Sequence, residues 1–286
     1  MEYVSLEGLR LDGRRPKETR RMRCELTALP GTDGSAIFEL GNTKVLAAVH
    51  GPRECRRPSE RLEDRLLIKC EVSMAAFSTG ERRRRTKGDR RTNELSTFVR
   101  GCLETCVSTE LMARSQLDVT IQVLQADGGV RAAAINAAVL AIVDAGIPMK
   151  DTMAACSAGF LDDTALLDLN YMEVRIPNLV RLFFCLAPES NLVTNVHPLS
   201  TPYLVTTQEG GGGPEVHVAY MPQMDKLVAV TTENKASVDV FEKSYELALD
   251  GCRVASALMR ECMITHAKRL YARRQAGPEK PRTVDD

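Results

Sequence analysis

The stretch "LQADGGVRAAAINAAVLAIVDAGIPM", residues 124–149, decides the fold. It begins at the end of an apolar, β-branched run, residues 117–125, that predicts a strand. The turn "ADGG" follows, and an alanine-rich helix then runs to Gly146 and Pro148, which end it. A short connection from a strand directly into a helix is typical of proteins in which helices pack on sheets.

The two glycines of this turn, Gly128 and Gly129, also form a candidate anion site with Arg131. Glycine lets the backbone approach an anion closely, the N–H groups at a helix start point towards it, and arginine adds a two-pronged contact. A Gly-Gly turn can equally be a tight connection that binds no ligand. The turn alone therefore leaves both interpretations open.

Strand and helix patterns alternate on both sides of this unit. Upstream, residues 35–51 and 65–77 predict strands, and apolar spacings of three and four from Asn93 predict a helix. Downstream, two predicted hairpins, residues 154–173 and 215–232, precede a helix that starts near Ser237. We expect a mixed α/β (α+β) fold of two similar βα halves, in which sheets pack against helices.

A strongly basic segment, "STGERRRRTKGDRRTNE", spans residues 78–94. Seven of the eleven residues from 81 to 91 are Lys or Arg, and Gly80 and Gly88 disfavour a helix, so we expect a mobile basic loop. Charge of this kind binds phosphate groups without reading a base sequence. The alternative is a solvated surface.

The composition narrows the class of protein. The chain has 38 basic and 38 acidic residues, so nucleic-acid binding has to come from local clusters of charge. Its nine cysteines are an odd number without a CxxC pair, which predicts free thiols in a reducing compartment rather than disulfides or a zinc site. The sequence has no signal pattern and no run of 18 apolar residues, so we expect no membrane association.

Five motifs occur in order along the chain. They are "GLRLDGRRPKETR" (8–20), "FELGNTKVLAAVHGPRE" (38–54), "FSTGERRRRTKGDRRTNELSTFVR" (77–100), the stretch quoted at the start, and "LLDLNYME" (166–173). Together they resemble successive landmarks of the ribonuclease PH family, over residues 6–173 and 209–265. The resemblance is strongest to the eukaryotic exosome ring subunit that corresponds to the phosphorolytic subunit of the archaeal exosome.

This resemblance implies a ribonuclease PH-like fold and a six-membered ring of such subunits around an RNA channel. It also implies 3′-to-5′ phosphorolysis, in which inorganic phosphate attacks the last phosphodiester and releases a nucleoside diphosphate. In active members two arginines and a glycine turn hold the phosphate, and two acidic residues six apart follow. The matching residues are Arg100, Gly128, Gly129, Val130 and Arg131 for phosphate, Asp168 for catalysis or Mg²⁺, and Arg82, Arg83, Arg84, Arg85, Lys87, Arg90, Arg91 and Arg114 for RNA.

The sequence departs from the family pattern at two positions. Val130 stands where active members have a hydroxyl, and the loss of one such donor costs about 1–3 kcal/mol of anion binding. Val174 stands six residues after Asp168, where the resemblance implies a second acidic residue. If residues 174–208 are removed, Glu209 takes that position and becomes the candidate second catalytic acid.

The segment 174–208 differs in composition from the rest of the chain, since only Arg175, Arg181 and Glu189 are charged among its 35 residues. Two hypotheses are open for this atypical insertion. It is either a retained intron or gene-model error, or a genuine lineage-specific loop that bulges to the surface. Sequencing the messenger RNA discriminates between them, because abundant transcripts that encode the segment contradict the first.

We expect the chain to consist of a short extension (1–10), one ribonuclease PH-like domain (11–265) and a polar disordered tail (266–286). Two functions remain open for it. One is a scaffold that binds single-stranded RNA and serves a separate nuclease. The other is an active exoribonuclease with phosphate as co-substrate, and with Mg²⁺. Either would work in rRNA processing and RNA degradation within the nucleus, nucleolus and cytoplasm, in a hetero-hexameric ring with other ribonuclease PH-like subunits and RNA-binding cap subunits.

Overall fold

The structure, a computed structural model, describes residues 4–5, 7–55, 57–80, 82, 89–161, 164–174, 205–207 and 214–276. These residues form two five-stranded sheets and four α-helices. The predicted mixed α/β fold is confirmed.

The first half of the chain contributes one sheet and two helices. Its elements are β1 (Met22–Leu26), β2 (Gly34–Leu40), β3 (Thr43–Glu54), β4 (Leu67–Met74), α1 (Arg90–Cys106), β5 (Ser115–Gln125) and α2 (Val130–Asp144). The strand order is β1-β2-β3-β5-β4, and only the β4 and β5 pair is parallel. Because these two strands run in the same direction, the segment leading to the basic loop and the glycine turn leave the sheet at the same end.

The second half contributes the other sheet. Its elements are β6 (Ala154–Leu161), β7 (Thr164–Leu167), the single turn α3 (Tyr171–Val174), β8 (Val205–Thr207), β9 (Glu215–Met221), β10 (Lys226–Glu233) and α4 (Val238–Ala276). The strand order is β7-β6-β9-β10-β8. The pairs of β6 with β7 and β9 and of β9 with β10 are antiparallel, whereas β8 lies parallel to β10 at the edge.

Helix α2 lies at the centre of the molecule. Every residue from Ala132 to Ile142 is buried, because the helix packs on β2 and β3 of one sheet and on β6 of the other. This position explains its composition, since alanine permits close approach from all sides and no face needs to be polar. The side chain of Asn136 is buried among these apolar residues and both donates to and accepts from the backbone of Ala155, at 3.0 and 2.8 Å.

Two features differ from the sequence predictions. Helix α4 continues to Ala276, so residues 266–276 are helical rather than part of a disordered tail. A 3.3 Å contact between His266 Nε2 and Asp144 Oδ1 fixes this helix to the end of α2. Residues 205–207, which belong to the predicted insertion, form the edge strand β8, while residues 175–204 and 208–213 lie outside the described residues.

The cysteines are free, as the sequence predicts, at the eight positions that the structure describes; Cys185 lies outside them. Burial raises the pKa of the Cys70, Cys102 and Cys252 thiols to about 12. None of the helices within the described residues is long and apolar enough to cross a membrane.

Candidate functional site

The glycine turn between β5 and α2 has a backbone that only glycine fits well. Gly128 and Gly129 have φ angles of +76° and +63°. A side chain at Gly128 would overlap the backbone oxygen of Leu169. The Gly128 carbonyl accepts a 2.7 Å hydrogen bond from the Thr43 hydroxyl. Packing alone therefore accounts for both glycines, whether or not the turn binds an anion.

Arg20 fastens this turn to the second half of the chain. Its Nε and Nη2 donate to the two carboxylate oxygens of Asp168 at 2.8 and 2.6 Å, and its backbone N–H donates to the same group at 3.0 Å. The guanidinium also donates to the carbonyl groups of Asp127 and Gly128. Arg20 is 8% exposed and Asp168 is fully buried.

The surroundings of Asp168 are those of a structural ion pair. Both of its carboxylate oxygens accept from Arg20, and Arg14 lies 3.8 Å from one of them. A carboxylate held in this way has little capacity left for a substrate or a metal ion. The role of Asp168 as a catalytic acid or Mg²⁺ ligand stays a prediction that its contacts do not favour.

A second buried ion pair closes the chain just before the insertion. Arg10 contacts the carboxylate of Glu173 through Nε at 2.9 Å and Nη2 at 2.5 Å, and both side chains are almost fully buried. Arg10 also donates to the carbonyl groups of Leu167 and Asp168. Residues 10–20 therefore form a strap, which holds the segment from β7 to α3 through three arginines, Arg10, Arg14 and Arg20.

Arg131 connects α2 with α1 and β10 next to the glycine turn. From the first turn of α2, its Nη2 contacts Glu94 of α1 at 3.4 Å and Glu233 at the end of β10 at 2.8 Å. The side chain is 17% exposed, so the guanidinium lies near the surface while it is held between two carboxylates. An arginine in this position has a charge that an incoming anion can share.

Glu233 belongs to a cluster with Glu215 and His217, whose ligand atoms all lie within 4.8 Å of one another. Glu215 and His217 are each 5% exposed, and Glu215 Oε1 and His217 Nδ1 have no hydrogen-bond partner among the described residues. Two carboxylates and one imidazole are a donor set that fits a divalent transition metal. The cluster can hold a cation beside Arg131.

The two carboxylates of this cluster differ in acidity. Burial raises the pKa of Glu215 above its ordinary value of 4.5, and the charge of His217 only partly offsets this effect. Contact with His217, to which Arg131 adds, lowers the pKa of Glu233 to about 2. Two neighbouring carboxylates whose pKa values are driven apart are typical of a site that contains both a proton donor and a fixed negative charge.

The sequence of this chain is similar to known proteins over most of its length. A family model described as "3′ exoribonuclease family, domain 1" of RNase PH matches residues 18–148. The protein named Exosome complex component RRP41 homolog, from Arabidopsis thaliana, is 44% identical over 277 residues, which cover 96% of this chain and 100% of that protein. The chain belongs to the ribonuclease PH family. The family member named Exosome complex component RRP41, from Mus musculus, is 39% identical over 260 residues, covering 91% of this chain and 92% of that protein.

The ribonuclease PH fold is also found among solved structures. The structure titled "archaeoglobus fulgidus exosome with RNA bound to the active site" superposes with a TM-score of 0.66 at 17% identity. The match covers 88% of this chain and 92% of that one. This likeness supports the fold alone.

The ribonuclease PH resemblance pairs Arg100 with Arg131, which lie on the neighbouring helices α1 and α2. Arg100 is half exposed and lies 3.6 Å from Glu104. It follows Glu94, the Arg131 partner, by six residues, which is a rotation of about 240° around the helix. Arg91 precedes Glu94 by three residues and shares its face of α1. The shared face makes Arg91 a further candidate for the partner of Arg131 at an anion site, and the assignment of Arg100 stays a prediction.

The candidate RNA-binding residues fall at two ends of the first sheet. Arg82 is exposed near the end where β4 and β5 lead to the loop and the turn, and Arg90 and Arg91 begin α1. Arg114 comes just before the first residue of β5, at the other end of the strand from the glycine turn. Because each strand residue adds about 3.3 Å, the eleven residues of β5 separate Arg114 from the turn by about 35 Å. Arg83, Arg84, Arg85 and Lys87 lie outside the described residues.

The remaining predicted residues add little to the site. Val130 is the first residue of α2 and brings no hydroxyl to it. Val174 ends α3, where its side chain packs against Leu161, Leu166 and Leu169. Glu209 lies outside the described residues.

Sequence reasoning missed Glu215, His217 and Glu233. Residues 215 and 217 alternate on a strand, so both face the same side of the sheet. Glu233 is the direct antiparallel partner of Glu215 in the β9–β10 hairpin. The sequence does contain a signal for this cluster, because ionisable residues occur within an otherwise apolar predicted hairpin. A charge buried there requires a partner, which points to a site.

Proposed function

We propose that this chain is an RNA-binding core subunit of an exosome ring that takes part in 3′-to-5′ RNA processing and degradation. The observation that carries the proposal is its similarity, over nearly its whole length, to family members named exosome complex components. The other subunits would be ribonuclease PH-like proteins in a hetero-hexameric ring with RNA-binding cap subunits, in the nucleus, nucleolus and cytoplasm.

The position of residues 75–80, which come just before the basic segment, supports an RNA path to the Arg131 site. The segment after β4 and the glycine turn after β5 leave the sheet at one end, and the backbone N–H of Ala126 donates to Ser78 there at 2.9 Å. Arginine and lysine side chains on this loop would guide the phosphate backbone of a single strand towards Arg131.

The cluster around Arg131 favours a second candidate function, phosphate-dependent 3′-to-5′ exoribonuclease activity. Arg131, with Arg91 on the facing side of α1, would hold inorganic phosphate against the terminal phosphodiester. A phosphate oxygen would form a bond to the terminal phosphorus as the bond to the 3′ oxygen of the preceding nucleotide breaks. A proton from water would neutralise that 3′ oxygen, and the terminal nucleotide would leave as a nucleoside diphosphate.

Glu215, His217 and Glu233 would hold the divalent cation of this reaction. When bound, a cation there supplies positive charge that stabilises the negative charge of the transition state. The imidazole favours Mn²⁺ or Zn²⁺ over Mg²⁺, which prefers oxygen ligands. These residues replace Asp168 as the proposed cation ligands, because Arg20 already occupies the Asp168 carboxylate.

The test of the ring proposal is reconstitution. The full chain is mixed with the other ribonuclease PH-like subunits of the same organism and analysed by native mass spectrometry. We expect one copy in a hetero-hexamer that binds single-stranded RNA. A stable homo-oligomer that excludes the other subunits would contradict the proposal.

The assembled ring also tests the second function. Release of nucleoside diphosphates from single-stranded RNA is measured with and without phosphate, for the native chain and for Glu215→Gln. We expect phosphate-dependent release that Glu215→Gln lowers by at least about a hundredfold, because the variant removes a ligand of the proposed cation, whose charge stabilisation is worth several kcal/mol. Equal release from both chains would refute the role of Glu215, and no release from either would leave the scaffold function.

A further inference from the structure

One oxygen atom of Glu233 serves two groups. Glu233 Oε1 accepts the ion pair from Arg131 Nη2 at 2.8 Å and lies 3.7 Å from His217 Nε2. The same carboxylate is therefore a partner of the proposed anion-binding arginine and a member of the proposed cation cluster. An oxygen shared between a guanidinium and a cation binds each of them less strongly than it would bind one alone.

The rest of the cluster has unused binding capacity. Glu215 Oε1 lies 3.8 Å from His217 Nε2, too far for a hydrogen bond, and it has no partner among the described residues despite being buried. A buried carboxylate oxygen without a partner is costly. A cation beside His217 and Glu215 would remove that cost and would also attract Glu233 Oε1.

Arg131 would lose its closest partner in that exchange. Its other contact, Glu94, lies 3.4 Å away and belongs to α1, outside the cation cluster. With Glu233 turned to the cation, the guanidinium has more of its N–H groups available to an anion. Without the cation, a phosphate has to compete with Glu233 for Arg131.

We propose that Glu233 is an exchange carboxylate that makes binding of a divalent cation and binding of phosphate mutually dependent. This inference rests on the proposed phosphate and cation sites and adds how they are coupled. Because coupling between two ligands is reciprocal, the cation raises the affinity for phosphate by the same factor as phosphate raises the affinity for the cation. We expect a factor of about ten, within the ordinary range of such couplings.

The experiment measures both affinities on the full chain. Calorimetry gives the dissociation constant of inorganic phosphate with and without saturating Mn²⁺, and electron paramagnetic resonance of free Mn²⁺ gives that of the cation with and without phosphate. In Glu233→Gln, phosphate should bind as tightly without Mn²⁺ as it binds to the native chain with Mn²⁺. Added Mn²⁺ should then change the phosphate affinity by less than about twofold.

Glu94→Gln is the matched control. It also removes a carboxylate from Arg131, so it should raise the affinity for phosphate. Since Glu94 is outside the cation cluster, this variant should keep the tenfold gain on adding Mn²⁺, about that of the native chain. A loss of coupling in both variants would overturn the role of Glu233, because any nearby carboxylate would then suffice.

The possible outcomes distinguish a failure of the exchange from a failure of the proposed function on which it rests. If Glu233→Gln keeps the native coupling, the cation acts through its own charge and the exchange is refuted. If both ligands bind to the native chain without affecting each other, the exchange is also refuted while the sites stand. If neither phosphate nor Mn²⁺ binds, the proposed sites themselves are wrong and the exchange is overturned with them.

Discussion

Arg20 and Asp168, which are 148 residues apart in the sequence, form a buried two-pronged ion pair beneath the glycine turn. The pair ties the strap of the first half to the end of β7 in the second half. Removal of one partner from such a pair leaves an uncompensated buried charge, which costs about 3–5 kcal/mol. The geometry of the candidate site therefore depends on the Arg20–Asp168 ion pair, which is buried beneath the glycine turn.

Asp168→Asn should destabilise the fold strongly. We expect a fall in melting temperature of about 10 °C, from a loss of several kcal/mol in a chain of this size. Asp12→Asn is the control, because Asp12 is 30% exposed and pairs with Arg14 near the surface. Its effect should be below about 1 kcal/mol. Thermal unfolding followed by circular dichroism gives both values, and equal effects would contradict a structural role for Asp168.

Gly128→Ala should disrupt the turn more than a typical substitution of glycine. The added methyl group would overlap the Leu169 carbonyl, and the φ of +76° adds backbone strain, so we expect a loss of at least about 3 kcal/mol. Gly146→Ala has a similar φ of +70° but open space around it, and should cost about 1–2 kcal/mol. Urea unfolding compares the two. A smaller loss for Gly128→Ala would mean that the turn is not tightly packed.

The two carboxylates of the cation cluster should show opposite pH dependence. The pKa of Glu233 falls from 4.5 to about 2 on folding, so this group stabilises the fold above pH 4.5 and loses that contribution as the pH falls towards 2. The pKa of Glu215 is raised, so its contribution is present below pH 4.5 and is lost as the pH rises through the folded value.

Two variants test this expectation through the free energy of unfolding. At pH 7, Glu233→Gln should be less stable than the native chain, and the difference should shrink as the pH falls below 4.5. Glu215→Gln should gain stability relative to the native chain as the pH rises above 4.5, because its amide cannot take on the charge that burial disfavours. A difference from the native chain that changes with pH in the same direction for both variants would contradict the assignment.

Charge reversal near the basic loop should weaken RNA binding at one end of the sheet only. In Arg82→Glu combined with Arg90→Glu, we expect about tenfold weaker binding of an unstructured single strand and a smaller salt dependence. Arg114→Glu makes the same kind of change at the other end of β5 and should alter the affinity by less than about twofold. Fluorescence anisotropy at several salt concentrations measures both. An equal loss in Arg114→Glu would place RNA elsewhere.

The sequence predicts the local parts of this molecule well. Glycine spacing and alanine content locate the turn and α2, and apolar periodicity locates α1, because these signals depend on neighbours within a few residues. The pairs formed by Arg20 with Asp168 and by Glu215 with Glu233 depend on which strands and segments meet in the fold. Residue types alone therefore point to Arg100 and Asp168, whereas the structure gathers Arg131, Glu215 and Glu233.

The helical extension of α4 shows the same limit. A polar composition near the end of the chain predicts disorder, yet His266 pairs with Asp144 and the Thr27 hydroxyl lies 3.3 Å from the same imidazole. These contacts join segments far apart in the sequence, so they leave no pattern within a short window. They fix the helix at His266, one residue past the predicted domain end, and the helix continues from there to Ala276.

Phosphate binding is the most direct test of the central claim, that the Arg131 cluster is the anion site. Calorimetry on the full chain compares Arg131→Gln, Arg91→Gln and Arg100→Gln with the native protein. We predict that the first two weaken binding of inorganic phosphate at least about tenfold, the loss of one charge-assisted contact, while Arg100→Gln stays within about twofold. An equal loss in Arg100→Gln, or unchanged binding in Arg131→Gln, would contradict the account.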